Sequence, residues 1–207
     1  MSDPSRIRLT TSLKTVYYAV HGIQVAEIYD SLVANGPTSG SETIGGGFAV
    51  GLTESEKSLE YVLSHTGRFI CEIESADINL SMVVTLPRHS SPSRLSPETL
   101  ARWRAFEKDV AAHEQRHVDI HMSKMEEFER DLGNVTAFDC DSLEETLTWR
   151  WESSNSFDGL AQATFHVSEL LTKPGLSWPS GRIRTPLIRC CPGPEPTPDF
   201  SGLEPTR

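Results

Sequence analysis

Apolar and histidine positions recur at steps of three and four through Leu100, Trp103, Phe106, Val110, His113, His117, His121, Met125, Phe128 and Leu132. That period puts them all on one face of a helix. Ser96 suits its N-cap, Pro97 the first helical position, Glu98 the positive end and Gly133 the C-cap. Such a helix is about 50 Å long at the usual rise, so a kink or an earlier end is the alternative.

Upstream the pattern is that of strands around one short helix. Thr15 to Val20 is β-branched and aromatic, and His21-Gly22 turns the chain. A helix is expected from Ile23 to Ala34, stopped by Asn35-Gly36-Pro37. Phe48, Val50 and Leu52 alternate, as do Leu59, Tyr61 and Leu63, and the run Phe69 to Leu86 reads as one bent strand or two. Strands without intervening helices predict an antiparallel sheet. Downstream, Asp141-Ser142-Leu143-Glu144 fits a capping box for a second helix with Leu143, Leu147 and Trp151 buried. Asn155-Ser156 is expected to end it, leaving Phe157 to Leu171 as strand or irregular loop. The fold class is therefore α+β, an antiparallel sheet packed on a long helix and a second helix. Residues 1–14 read as a loose N-terminus and 15–171 as the folded domain. Eight of the 13 prolines fall from Pro174 onward, so 172–207 reads as an irregular or disordered tail.

Composition adds a few exclusions. The chain of 207 residues is 37% hydrophobic, enough for a real core, and no apolar run is long enough to span a bilayer. A net charge of −10 without a basic run argues against nucleic acid and anionic membrane as partners. Met1 to Arg6 leads into no apolar stretch of the kind a secretory signal needs. Cys71, Cys140, Cys190 and Cys191 form no C-x-x-C, which disfavours a zinc-thiolate knuckle. Cys71 and Cys140 each flank a predicted element, which allows a disulfide in an oxidising compartment; the alternative is two buried thiols.

The chemistry concentrates in His113-Glu114-Gln115-Arg116-His117, an H-E-x-x-H on the long helix. Histidines one turn apart reach one metal ion, and the intervening glutamate can take a proton from a water that the metal activates. The histidines continue the apolar stripe, so they face the protein body, where buried imidazoles need partners. The alternative is a pair of core histidines bonded to carboxylates or backbone. A catalytic zinc site needs a third protein ligand. His121 lies about 12 Å from His113 along the axis, too far to share an ion held at about 2 Å, and reads as a supporting or core histidine. His166 is the better candidate, as ligand or as oxyanion donor, with Asp139, Asp141, Glu144 and Glu145 as carboxylate rivals. Asp158 is a candidate to orient a ligand histidine. His21, His65 and His89 read as ordinary surface.

Several stretches together resemble a bacterial family of predicted secreted zinc-dependent proteases, long catalogued as a domain of unknown function. They are Tyr18-Ala19-Val20-His21-Gly22 leading to Asn35-Gly36-Pro37, Cys71 opening a strand that ends Thr85-Leu86-Pro87, and Trp103 ahead of His113-Glu114-Gln115-Arg116-His117. Cys140, Phe157-Asp158 and Thr164-Phe165-His166 complete the set. The resemblance implies a zincin-like metallopeptidase, export, a Cys71–Cys140 disulfide and His166 as third site residue. The chain departs from the family in the spacing of Asp158 to Thr164 and in having Val167 where a glycine is usual. The expected function is a zinc peptidase with one Zn2+ on His113, His117 and His166, Glu114 as general base, and a peptide or protein as substrate. By analogy, an edge strand from 71–86 would bind that substrate. The alternative is a non-catalytic binding module with a structural or degenerate metal site.

Overall fold

A computed structural model describes residues 6–37, 49–66 and 69–172, with only the helical backbone for 166–172. The loop predicted by Ser39-Gly40-Ser41 and Gly45-Gly46-Gly47, and the proline-rich tail beyond Thr172, lie outside the described residues.

The sheet has one long central strand, β3 (Cys71–His89), flanked by β1 (Ile7–Val20) and β2 (Leu52–His65). β2 and β3 are joined by a short connection and pair antiparallel, as expected. β1 pairs parallel to β3, from Ile7 opposite Ala76 to Val20 opposite His89. The sheet is therefore mixed and not purely antiparallel. β1 and β3 are separated in sequence by helix α1 (Val25–Asn35) and by β2, so no hairpin constrains their direction. A two-residue strand, β4 (Thr136–Ala137), pairs antiparallel with Cys71 and Glu72.

Three strand boundaries differ from the pattern-based expectation. β1 starts at Ile7 rather than Thr15, because pairing with β3 holds a polar, mostly exposed stretch extended. The two alternating segments around Leu52 and Leu63 are one strand, with a register shift at Val62/Leu63. β3 is continuous and runs past Pro87 to His89.

On β3, Cys71, Ile73, Ala76, Ile78, Leu80, Met82 and Val84 are buried on one face, and Glu74, Asn79 and Ser81 are exposed on the other. The buried face packs against α2 (Pro97–Leu132) and α3 (Cys140–Thr172). α2 matches the sequence reading, with Ser96 Oγ accepting from the Thr99 N–H at 3.1 Å and Pro97 in the first turn. A smaller cluster of Val20, Ile28, Leu32, Leu95, Trp103 and Val110 closes the other end of the sheet.

Gly22 opens α1 at φ 110°, a left-handed conformation, and a Cβ there would stand 2.6 Å from that of Glu27. The Glu27 carboxylate accepts the Ile23 and Gln24 backbone N–H groups, which hold its pKa below the ordinary range.

α3 departs furthest from expectation. Its cap is Asp139, not Asp141: the Asp139 carboxylate accepts the Ser142 N–H at 2.7 Å and its hydroxyl at 3.1 Å. The Ser142 N–H, then its hydroxyl, pull the Asp139 pKa down. The helix does not end at Asn155-Ser156 but continues to Thr172. Ser156 satisfies its own hydroxyl by donating to the Glu152 carbonyl at 3.0 Å, within the helix. Cys71 and Cys140 form a disulfide across a sequence separation of 69, tying the first residue of β3 to the first of α3.

Candidate metal centre

α2 and α3 are antiparallel neighbours, because His121 meets Asp158, His117 meets Gln162 and His113 meets Phe165. All three histidines are buried, His117 completely. The Nε2 atoms of His113 and His117 converge to 3.1 Å. Two nitrogens at about 2.0–2.1 Å from one tetrahedral zinc stand about 3.3 Å apart, so the pair fits a shared ion.

The proton on His117 is fixed by Gln162. Gln162 Nε2–H donates to the His117 carbonyl at 3.2 Å, which turns Oε1 of the same amide toward His117 Nδ1. An amide oxygen only accepts, so Nδ1 carries the hydrogen and Nε2 presents its lone pair toward His113. Phe165 covers the pair, its ring centroid 5.0 Å from His113 and 4.9 Å from His117.

Glu114 is 1% exposed. Its Oε2 accepts the Thr53 hydroxyl at 2.8 Å. Gly51 lets β2 approach this carboxylate, since a Cβ at that position would lie 2.6 Å from Glu114 Oε1.

Beside the pair lies a buried ionic group. The Asp158 carboxylate accepts His121 Nδ1–H at 2.7 Å and takes the Lys57 ammonium on the same oxygen. Burial alone would raise the Asp158 pKa. The His121 bond and the Lys57 charge outweigh it and hold the group below the ordinary carboxylate range. Asp158 thus orients a histidine, as the sequence suggested, but that histidine is His121 and not a member of the converging pair.

The carboxylate rivals are excluded by the helix pairing. Glu144 and Glu145 sit near the start of α3, where Leu143 and Leu147 pack with Phe128 and Leu132, roughly 20 Å down α2 from His117. Asp139 and Asp141 precede them at the same end. Position 166 falls in α3 one turn after Gln162, not in a loop or strand, and the His166 side chain lies outside the described residues. Among the described residues no third His, Cys, Asp or Glu completes a three-ligand cluster with His113 and His117.

His89 is not a surface residue. It is 5% exposed, donates Nε2–H to the Gly22 carbonyl at 2.8 Å and accepts the Ser91 N–H at 3.1 Å. It meets the Trp103 ring edge-on. Thr53, Lys57, Gln162 and Phe165 are site residues that sequence reasoning missed. Of these only Phe165 had an apolar signal, falling at helical spacing after Leu147, Trp151, Asp158 and Gln162 on α3.

If the His113–His117 pair holds zinc, Gln162→Leu is expected to lower the affinity about 10- to 100-fold, the usual cost of losing a hydrogen bond that orients a metal ligand. Competition with a chelating dye measures it, and unchanged affinity would remove Gln162 from the site.

No described helix is long and apolar enough to cross a membrane. No curated protein and no solved structure matches the chain significantly. Residues 15–166 match the family model described as a bacterial protein of unknown function, DUF922. That match takes in every site residue named above, and the chain belongs to the DUF922 family.

Proposed function

We propose that the chain is a zinc-dependent peptidase. The observation that carries this is the convergence of His113 and His117 Nε2 at 3.1 Å, with the buried Glu114 carboxylate next in sequence. His113 and His117 would hold the ion, with His166 as third ligand one helical turn beyond Gln162. When bound, zinc supplies a Lewis acid and an activated water. Glu114 accepts the proton of the attacking water and delivers it to the leaving amine. Thr53 holds Oε2 of that carboxylate. Gln162 keeps His117 in the tautomer that offers Nε2 to a metal. Phe165 limits solvent around the pair.

β3 is paired on both sides, so it is not the strand that would take an added peptide. β2 is the better candidate. It pairs only with β3 among the described residues, and it carries Thr53 and Lys57 to the site. The Cys71–Cys140 disulfide supports an exported protein as part of this reading.

The alternative reading is a non-catalytic binding module with a structural or degenerate metal site.

Metal analysis of the full chain, paired with a peptide-cleavage screen of wild type and Glu114→Ala, separates the two. The peptidase reading expects one zinc, and cleavage that stops with a chelator and returns with zinc. His166→Ala should lose metal affinity. One zinc with no cleavage beyond that of Glu114→Ala favours the binding module, and no zinc at all sinks both metal readings.

A further inference from the structure

A cluster of side chains of metal-ligating type lies near the C-terminal end of α2, where α3 begins. His65 ends β2 and is paired in register with Cys71, the first residue of β3. Cys140 is the first residue of α3. His65 Nε2 stands 3.5 Å from Cys140 Sγ, and the ligand atoms of His65, Cys71 and Cys140 all lie within 4.8 Å of one another. We propose that reduction of the disulfide converts this corner into a second metal site, with His65, Cys71 and Cys140 binding one soft divalent ion such as Zn2+.

The geometry suits that chemistry. A nitrogen at about 2.0–2.1 Å and a sulfur at about 2.3 Å on one tetrahedral ion stand about 3.5 Å apart, the separation found between His65 and Cys140. Thiolate is the form that binds metal, and the incoming ion itself displaces the thiol protons. Cys71 is fully buried, so its thiolate would need a cation close by. His65 is exposed, leaving a fourth position open to water.

The step balances. A dithiol reductant gives two electrons and two protons and closes to its own disulfide, while the Sγ–Sγ bond breaks and each cysteine gains a hydrogen. The incoming ion then displaces two protons. β3 and α3 stay joined in both states, by the disulfide when oxidised and by the ion when reduced, and the ion also ties in β2 through His65.

The test uses the full chain with Cys190→Ser and Cys191→Ser, so that only this pair can respond. Cd2+ is the probe, read by its thiolate charge-transfer absorption and by bound equivalents. Reduced protein is expected to bind one more Cd2+ than oxidised protein, with the thiolate band present only when reduced. His65→Ala, at an exposed site, should weaken the extra binding about tenfold or more. The proposal is overturned if reduced and oxidised protein bind equal amounts, if the extra ion persists in Cys71→Ser/Cys140→Ser, or if His65→Ala binds it unchanged. None of these outcomes depends on His113, His117 or peptide cleavage.

Discussion

On the peptidase reading, Glu114→Gln is expected to keep zinc bound and lose about 100- to 10,000-fold in kcat/KM, the usual contribution of a positioned acid–base group. The amide has the same shape and still accepts the Thr53 hydroxyl through its oxygen, so the packing against Gly51 survives. It cannot take a proton. His113 and His117 are untouched, so metal content should equal that of wild type. Zinc equivalents and cleavage rates on the same preparation decide the matter. Full activity would remove Glu114 as the base, and a parallel loss of zinc would make it a ligand instead.

The largest expected effect on stability is at Asp158. The side chain is 3% exposed, and it holds Lys57, itself 12% exposed, together with His121. Asp158→Asn strands the Lys57 charge in a site that cannot solvate it, which costs about 3–5 kcal/mol when one partner of a buried pair is removed. Adding Lys57→Met to that variant should recover much of the loss, because the stranded charge is then gone as well. Urea denaturation of the two single variants and the double measures the coupling; simple additivity would mean that the pair does not act as a unit. The sign with pH follows from the lowered pKa. Folding binds fewer protons at Asp158 than unfolding does, so its contribution is complete above the unfolded value of about 3.9 and fades as pH falls through the lower folded value. Wild type should therefore lose stability in that acid window more steeply than Asp158→Asn.

α2 was legible in the sequence almost residue by residue, because its stripe is long and its period unbroken. The H-E-x-x-H pair needed nothing more than that period. α3 was half legible. Its first turns carry leucines, but its second half faces α2 with Asp158 and Gln162, and a hydrophobic pattern does not mark polar residues as buried. Asn155 and Ser156 then read as the helix end, although the packing against α2 holds the helix through them. Lys57 and Thr53 were invisible for a different reason. Both lie on a strand with polar alternation, and only the β2–β3 register brings them beneath the helices. The direction of β1 was equally out of reach, since period-2 alternation says which face is buried and nothing about which way a strand runs.

That parallel pairing also orders the assembly of the molecule. β2 and β3 can close as a hairpin as soon as both are made, whereas β1 must wait until a strand far along the chain exists to receive it. Contacts of such long sequence separation form late and slow the search for the native state. β1 is thus expected to join after the β2–β3 hairpin, and until it arrives β3 presents an open edge from Ala76 to His89 on the side opposite β2.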